Sequence, residues 1–510
     1  MKQIETKIAG VLRIGLVAIA ILSQMLLLIV LIFALRQHAA YIYALIVMLA
    51  VFTIVFLAGY TRSSSYTVTW LVIIVVLPVF GFLLYVMWGR SGTSGRRNQR
   101  IKASLARGMT YLAADTNIQE ALNQEYPSRK RISQYLQCNG FPVYKNTSCT
   151  YYSLGERQFE AMFTDMENAK KFIFMEYFII SSGELWDRTF DILKRKAAQG
   201  VEVRILYDDL GSIVTVPNGL IKQLNSHNIQ VMRFNPVHRY ISRMQINYRN
   251  HQKITVIDGH IGYTGGTNLA DEYANIYPKY GHWKDTAIRL EGDAVWSLTV
   301  IFLQMWEVES KEPVLYEFYR PAESEKGQGF FQPFSDGPIN NPDNPAETVY
   351  RSIIANACEY VYITTPYLII DSVMVDILCA SAQSGVDVRI LTPKVWDHWY
   401  VHMVTQSNYS ELLRAGVHIY EYSPGYIHAK TIISDDEHAI TGSINMDYRS
   451  FHLHYENAVW ICGDPVLIDI KSDILQTIPM CEEICYEQWN KRPLLKKLTQ
   501  TGLRLFAVLF

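Results

Sequence analysis

The sequence predicts an α/β protein of two similar halves, with mixed or parallel sheets flanked by helices, a pseudo-twofold relation between the halves, and transmembrane helices in front of them. Three observations predict this arrangement. A short signature of polar residues occurs twice, a strand–helix–strand pattern precedes each copy, and three long apolar segments open the chain. Strands that alternate with helices indicate parallel crossover units, and a repeated pattern indicates a repeated structural unit.

The repeated signature has the same internal spacing in both copies. A Lys follows a His by two positions, an Asp follows the Lys by five, and an Asn follows the Asp by ten. The first copy contains His251, Lys253, Asp258 and Asn268, and the second contains His428, Lys430, Asp435 and Asn445. The apolar β-forming residues between Lys and Asp predict a strand in each copy.

On such a strand the His and the Lys lie on one face, because residues two apart point the same way. An imidazole, an ammonium group and an amide that converge on one point are suited to a tetrahedral phosphodiester. The Lys and the Asn would hold the non-bridging oxygens while a His attacks phosphorus. The alternative is a repeated β-unit whose His and Lys are ordinary surface residues, since a motif stays a hypothesis until its context agrees.

The paired His-x-Lys-x4-Asp motifs resemble those of the phospholipase D superfamily, and together with the apolar N-terminus the chain resembles the bacterial cardiolipin synthases. The resemblance implies that the two motifs meet in one active site, which includes Asp258 and Asp435. It implies that one His becomes a covalent phosphohistidine and the other protonates the leaving alcohol. It implies neither a metal nor any other cofactor.

Two downstream carboxylates also resemble residues of that family. A His that acts as a base needs a carboxylate to orient its ring. Asp285 resembles the acidic partner of His251, and Glu456 resembles the partner of His428. A plain surface Asp is the alternative for Asp285.

The activity implied by the resemblance is transfer of a phosphatidyl group between two phosphatidylglycerols, which gives cardiolipin and glycerol. His251 is expected to be the nucleophile and His428 the acid and then the base, although the near-symmetric motifs allow the reverse. A membrane-bound phospholipase D that delivers water is the main alternative. A nuclease is disfavoured by 47 basic against 48 acidic residues, and a non-enzymatic scaffold is disfavoured by two complete motifs. The expected partners are therefore membrane lipids and not nucleic acid, with the oligomeric state left open.

The seven cysteines are scattered without a Cys-x-x-Cys pair, which fits a reducing cytosol and supports neither a disulfide framework nor a zinc site. Glu176 interrupts an apolar strand, and we expect it either to pair with a base in the core or to face the site. Asp208 and Asp209 follow the next strand and are expected to form a turn.

Residues 1–89 are expected to be a membrane anchor with spans at about 14–35, 39–59 and 67–88. Each span would reach roughly 30 Å, the thickness of the hydrocarbon core. Basic residues from Arg90 to Arg107 place the catalytic region on the cytoplasmic side of a bacterial cell membrane. Three true spans would leave Met1 outside despite the early basic residues, so the first segment could instead lie at the interface.

The remaining boundaries follow from composition. We expect a polar linker at 90–135, a first phospholipase D-like half at 136–320, a Pro-rich linker at 321–346 and a second half at 347–490. Residues 491–510 mix basic and apolar side chains in an amphipathic tail. This tail is expected to lie on the membrane surface, with burial against the catalytic region as the alternative.

Overall fold

The structure is a computed structural model that describes residues 38–60, 64–85, 96–236, 247–321, 327–339 and 343–509, with isolated positions between 22 and 30. The predicted span at 14–35 lies almost wholly outside the described residues. Three helices open the described chain: α1 (Ala39–Tyr60), α2 (Ser64–Val76) and α3 (Pro78–Leu84). The predicted third span is interrupted between α2 and α3, because Leu77 leaves the helical conformation and Pro78 starts a new helix. Within the described ranges, no helix qualifies by length and apolarity as a membrane crossing.

The segment expected to be a polar linker is folded onto the catalytic region. It forms α4 (Arg96–Met109), α5 (Thr116–Glu125) and α6 (Lys130–Cys138). A buried guanidinium, that of Arg129, donates to Asp435 and Glu437 at 2.7 Å each. The linker prediction missed this docking because the segment is polar on average, while each helix buries a few apolar side chains: Ile101 on α4, Leu122 on α5, and Ile132 and Leu136 on α6.

The first half is built on a seven-stranded mixed sheet with the strand order β1-β9-β7-β6-β2-β3-β4. β2, β3 and β4 are parallel, and the strands on the other side of β2 are antiparallel. The strands are β1 (Thr147–Tyr152), β2 (Phe172–Tyr177), β3 (Glu202–Asp208), β4 (Gln230–Phe234), β6 (Ile254–Ile257), β7 (Ile261–Gly265) and β9 (Ala287–Gly292). Two short strands outside this order are β5 (Arg249–Asn250) and β8 (His282–Lys284).

The second half repeats this sheet with the order β10-β19-β17-β16-β11-β13-β14-β20. Here β11, β13 and β14 are the parallel strands, and β16, β17, β19 and β10 follow β11 in antiparallel pairs. The strands are β10 (Phe330–Asp336), β11 (Tyr360–Thr364), β13 (Asp387–Pro393), β14 (His418–Tyr422), β16 (Thr431–Ser434), β17 (His438–Gly442), β19 (His454–Cys462) and β20 (Cys481–Glu483). The short strands are β12 (Leu368–Ile369), β15 (Gly425–Ile427) and β18 (Met446–Asp447). The matching strand orders confirm the predicted α/β fold of two halves.

Helices flank both sheets. Those of the first half are α7 (Gly155–Asn168), α8 (Glu184–Ala198), α9 (Asp209–Ser212), α10 (Leu220–Asn225) and α11 (Val295–Ser310). Those of the second half are α12 (Pro345–Ala355), α13 (Ser372–Gln383), α14 (Trp399–Ser407), α15 (Tyr409–Arg414), α16 (Tyr448–His452), α17 (Val466–Thr477), α18 (Tyr486–Asn490) and α19 (Leu494–Arg504).

The largest apolar core lies between the two sheets. It contains most of α11, the apolar face of α17, and side chains from both sheets, such as Phe174 and Val256 of the first half and Val459 and Ile461 of the second. Burial of this shared surface stabilises the two halves as one body, because each Å² of apolar area removed from water contributes about 25 cal/mol of stabilisation. The halves therefore hold their facing edges in a fixed relation.

Candidate active site

Each motif His follows a short strand that pairs with the other half of the protein. β5 lies parallel to the start of β19, and the His251 N–H donates to the Tyr455 carbonyl at 2.9 Å. β15 lies parallel to β8, and the His428 N–H donates to the Lys284 carbonyl at 2.7 Å. Both imidazoles are therefore positioned by backbone hydrogen bonds that cross between the halves.

The carboxylates that contact the two rings also cross between the halves. Nδ1 of His251 lies 2.8 and 3.0 Å from the two oxygens of Glu456, and Nδ1 of His428 lies 2.6 Å from Oδ2 of Asp285. The expected pairing, Asp285 with His251 and Glu456 with His428, is therefore wrong. The physical reason is the strand exchange, because β19 and β8 place each carboxylate beside the histidine of the opposite motif.

The two histidines share one electrostatic environment. Burial lowers the pKa of His251 well below its ordinary value, and the nearby charges of Lys253, Lys430 and His428 lower it further. Burial and Lys430 lower the pKa of His428 to about 4, although Asp285 opposes this shift. Both rings are therefore neutral near pH 7 when no anion is bound, and a bound phosphate would raise both pKa values.

The two motif lysines are almost fully buried beside the histidines. Burial lowers the pKa of Lys253 to about 7 and that of Lys430 to about 8. Each ammonium group donates to the carbonyl of the His two residues earlier. A buried ammonium group has lost its hydration, which is unfavourable, and an anionic phosphate would offset that loss.

Glu456 is held by two serines besides His251. The Ser443 hydroxyl donates to Oε2, and the Ser450 hydroxyl donates to Oε1 at 2.8 Å. Ser450 lies six residues before Glu456 in the sequence and Ser443 lies thirteen before it, and the predicted site residues did not include Ser443. Its signal was present, because Ser443 lies in the small-residue turn between the second Asp and Asn445.

The first half has a glycine where the second half has Ser443. A Cβ on Gly266 would lie 2.0 Å from Oδ1 of Asp285, so the shorter carboxylate occupies the space that a serine side chain would need. Asp285 receives a backbone N–H from Thr286 at 2.8 Å instead of serine hydroxyls. The two histidine–carboxylate pairs are therefore not chemically equivalent.

The carboxylates of the two motif aspartates contact backbone groups and not the reacting residues. This does not fit the expectation that they are catalytic residues. The Asp258 carboxylate accepts three backbone N–H groups, from Lys170, Lys171 and Phe172, at 2.7 to 2.9 Å. Asp435 does the same for the segment that enters β11, where it accepts from residues 358–360. Both residues have a positive φ, 54° and 55°. Each Asp therefore closes a turn and caps the neighbouring strand.

The two motif asparagines are buried and partly engaged within the protein. The Asn268 side chain accepts the Ile179 N–H at 3.0 Å and donates to the Tyr273 hydroxyl at 2.8 Å. Asn445 hydrogen-bonds to Asp447 and thereby lowers the pKa of that carboxyl, which burial raises to about 6 overall. An amide has two N–H groups, so each Asn keeps a donor beyond these contacts, and phosphate binding by Asn268 and Asn445 stays a prediction.

A cluster of buried polar side chains surrounds Asn250, the residue before His251. Asn250 donates its backbone N–H to Asp208 at 2.9 Å and its side-chain amide to Glu176. Glu176 thus pairs with an amide and not with a base, and burial raises its pKa to about 8. Asp208 also accepts the N–H groups of Leu210 and Gly211 at 2.9 Å each, which agrees with its expected turn role. The cluster fixes β5, the short strand that precedes His251.

Aromatic rings line the site differently on its two sides. The ring centroids of Tyr273, Trp283 and Tyr426 lie 5.4, 5.5 and 5.9 Å from that of His428. His251 instead contacts Phe178 at 4.9 Å and His454 at 5.4 Å. The wall beside His428 is therefore the wider apolar surface of the two.

Ligand atoms of His251, His454 and Glu456 lie within 4.8 Å of one another, a spacing that could hold a metal ion. Glu456 already accepts hydrogen bonds from two serines and from the His251 ring. A metal would have to displace these bonds and occupy a ring nitrogen of the nucleophile candidate. The absence of a metal from the reaction stays a prediction.

Comparison with known proteins places the chain in a family. The family described as "Cardiolipin synthase, PLD-like domain" matches residues 162–279 and 350–476, and "Phospholipase_D-nuclease N-terminal" matches residues 39–90. Cardiolipin synthase of Oceanobacillus iheyensis is 35% identical over 470 residues, which cover 89% of this chain and 95% of the relative. The chain belongs to the bacterial cardiolipin synthase family of the phospholipase D superfamily.

Two further relatives are similarly close in sequence. Cardiolipin synthase 2 of Bacillus anthracis is 34% identical and covers 88% of the chain and 87% of its own length. An uncharacterized protein of Streptococcus mutans is 37% identical, with 90% and 99% coverage. Among solved structures, phosphatidylserine synthase of Haemophilus influenzae superposes with a TM-score of 0.59 at 15% identity, covering 75% of this chain and 99% of that one. This last likeness shows the shared fold.

Proposed function

We propose that the protein transfers a phosphatidyl group from one phosphatidylglycerol to another and so makes cardiolipin and glycerol. The observation that supports this most is the reciprocal arrangement of the site, with two buried imidazoles each backed by a carboxylate from the other half and flanked by a buried lysine. Such an arrangement suits two displacements at one phosphorus, and relatives named cardiolipin synthase support the choice of lipid.

In the first displacement, Nε2 of His251 attacks phosphorus, and the P–O bond to glycerol breaks. His428 gives its Nε2 proton to the departing glycerol oxygen, and the phosphatidyl group stays on His251. In the second displacement, a hydroxyl of another phosphatidylglycerol attacks phosphorus while His428 takes its proton, and the P–N bond breaks. Each proton that His428 gives is thus recovered, so no other co-reactant is needed.

The assignment of His251 as the nucleophile rests on the inequality of the two pairs. A nucleophile must be unprotonated, and the pKa of His251 is lowered well below its ordinary value. An acid must hold a proton; burial lowers the pKa of His428, but Asp285 opposes this shift, and a bound phosphate would raise the pKa further. The serine hydroxyls that donate to Glu456 partly neutralise its negative charge. Glu456 therefore stabilises a protonated His251 less than a free carboxylate would.

We place the two ammonium groups and the two asparagines on the phosphate. Lys253 and Lys430 would hold the non-bridging oxygens, whose negative charge grows in the transition state. Asn268 and Asn445 would donate their free amide N–H groups to the same oxygens. Asp258 and Asp435 would act through the backbone turns that position these residues.

We also propose that residues 1–89 anchor the protein in the bacterial cell membrane, with the catalytic region on the cytoplasmic side. Large apolar side chains on α1, such as Phe52 and Val55, are exposed and would contact lipid. The basic residues of α4 follow directly, and such clusters favour the cytoplasmic face.

The experiment uses the full-length protein in vesicles that contain phosphatidylglycerol. We expect cardiolipin and glycerol in equal amounts; phosphatidic acid with glycerol would instead indicate hydrolysis by a phospholipase D. The roles of the histidines are tested with a phosphatidyl ester of p-nitrophenol, labelled with ³²P, because this leaving group needs no acid. The His428→Asn variant should accumulate labelled enzyme and His251→Asn should not, and label retained by His251→Asn would reverse the assignment.

A further inference from the structure

Exposed apolar side chains gather at one edge of the second half. Trp396 and Trp399 are 50% and 53% exposed, and Leu494, Leu495 and Leu498 on α19 are 71%, 76% and 60% exposed. We name these five residues the apolar platform. Exposed clusters of large apolar residues mark surfaces that contact lipid or another protein.

The two parts of the platform lie side by side because α19 packs along α14. The Gln500 side chain contacts Gln406 at 3.4 Å, and Lys496 lies close enough to His402 to lower its pKa. The two residues of each pair are 94 positions apart in the sequence. Because this separation is the same at both contacts, the two helices run parallel. Trp399, the first residue of α14, therefore lies beside the start of α19, where Leu494 begins the helix.

α19 presents its leucines on one face and its charges on another. With 3.6 residues per turn, Leu494, Leu495 and Leu498 fall within an arc of about 100°. The last 20 residues contain five basic side chains and no acidic one: Lys491, Arg492, Lys496, Lys497 and Arg504. Arg492 and Lys496 lie over the ring of Trp489, which fixes the helix with its leucines outward.

The platform adjoins the active site through a short chain of contacts. Asp397, between the two platform tryptophans, accepts a hydrogen bond from the Tyr367 hydroxyl at 2.5 Å. Burial raises the pKa of Tyr367, and the nearby Asp397 and Tyr426 raise it further, so Tyr367 lies close to Tyr426, whose ring is 5.9 Å from that of His428. The platform is thus the rim of the aromatic wall beside His428.

The first half also has exposed apolar residues at this rim. Ile276 and Tyr277 are exposed, and the ring of Tyr280 lies 5.8 Å from that of Tyr426. The ring contact with Tyr426 therefore places the loop that carries these residues beside the aromatic wall.

The end of α19 continues toward the N-terminal helices. The carbonyl of Leu505 accepts a hydrogen bond from the Thr69 hydroxyl of α2 at 2.7 Å. Tyr66 of α2 stacks on Tyr448, which starts the helix after Asp447, with ring centroids 6.2 Å apart. The platform is therefore continuous with the helices that we place in the membrane.

We propose that the apolar platform inserts into an anionic phospholipid bilayer at the mouth of the active site, so that a lipid reaches His428 without passing through water. This inference rests on the proposed function. Tryptophan is suited to the boundary between acyl chains and headgroups, and the basic side chains of the tail would meet the negative lipid phosphates. The amphipathic helix would lie in the plane of the interface.

The test compares two presentations of one substrate by the full-length protein. In Trp396→Ser/Trp399→Ser and in Leu494→Ser/Leu495→Ser/Leu498→Ser, activity on long-chain phosphatidylglycerol in vesicles should fall at least about fivefold, because less apolar area is buried in the lipid. Activity on short-chain phosphatidylglycerol, dissolved as monomers, should change by less than about twofold, because this substrate needs no interface. Undiminished vesicle activity, or an equal fall on both substrates, would overturn the proposal.

The matched control is Leu315→Ser/Phe318→Ser. These residues are more exposed than any platform residue, at 79% and 77%, but their neighbour Tyr319 packs on Phe172 at the opposite end of the first sheet. The control should match the native protein in both assays, and a vesicle-specific loss in it would show that any exposed apolar pair has this effect and so overturn the proposal.

Tryptophan quenching separates this proposal from the proposed function, because it needs no turnover. Brominated phosphatidylglycerol should quench the native protein more than Trp396→Phe/Trp399→Phe, even if the product were phosphatidic acid. Equal quenching of the two proteins would mean that the tryptophans do not touch lipid. Crosslinking between two chains of a Trp399→Cys variant, beyond that of the native protein, would then assign the platform to a second copy.

Discussion

Replacing Glu456 with Gln separates the two histidines by the carboxylate that each contacts. Glu456 follows the second motif in the sequence, yet it is fully buried against Nδ1 of His251 in the first. When Nε2 of His251 attacks phosphorus, the ring gains positive charge, which the Glu456 carboxylate stabilises. Gln keeps the shape and the hydrogen-bond acceptor of Glu but removes the charge. The variant should therefore lose formation of the phosphoenzyme.

The magnitude follows from the separation of the two charges. The charge centres of ring and carboxylate lie about 4 Å apart, and at an effective dielectric constant of about 20 their attraction is about 4 kcal/mol. A loss of about 4 kcal/mol in the transition state corresponds to a rate lowered by about 10³. The assay is the rapid release of p-nitrophenol from a phosphatidyl ester, which reports attack by the nucleophile.

Asp285→Asn is the matched control, because it removes the same charge beside His428. With the p-nitrophenyl ester it should keep the initial burst, since this leaving group needs no proton, and it should slow only the later turnover. A burst that survives in Glu456→Gln and disappears in Asp285→Asn would refute the reasoning, because the nucleophile would then be His428.

Three further outcomes are expected. Asp258→Ala removes the acceptor of three backbone N–H groups and should lower the free energy of unfolding by about 1–3 kcal/mol, measured by urea denaturation, with little change in kcat of the folded protein. Arg129→Ala removes the only cation that pairs with the buried Asp435 side chain among the described residues and should lower the free energy of unfolding by about 3 kcal/mol, with faster hydrogen exchange in α5 and α6. The pKa of Lys253 is lowered to about 7 and that of Lys430 to about 8, so both lose their protons as the pH rises through this range. Measured kcat/KM should therefore fall above about pH 7, and a profile that stays flat to pH 9 would contradict a phosphate-binding role for the protonated lysines.

Local patterns in the sequence were sufficient to predict the two-halved α/β fold and the set of polar residues that the structure brings together. The spacing of His251 and Lys253 defines a strand face, and its repetition at His428 and Lys430 defines the second half. These are short-range relations, which the order of residues along a strand determines directly.

The errors concern long-range relations. Each carboxylate was assigned to its own motif, because the sequence does not reveal that β8 pairs with β15 and β5 with β19. Asp258 and Asp435 were grouped with the chemistry because of their place in the motif, whereas their partners are backbone groups more than 70 residues away. The segment at 90–135 was taken as a linker, since its average polarity hides the few apolar side chains that each of its helices buries.

The strand exchange at β5–β19 and β8–β15 has a consequence for how the protein changes over time. A half made alone would contain one histidine and one carboxylate that do not contact each other in the whole protein. It would therefore contain neither of the two histidine–carboxylate pairs. Selection on the histidine of one half therefore acts on the carboxylate of the other. We therefore expect substitutions in one half to be accompanied by compensating substitutions in the other. A chimera that joins halves of two distant relatives should be active only when the strand pairs and the histidine–carboxylate contacts between its halves still form.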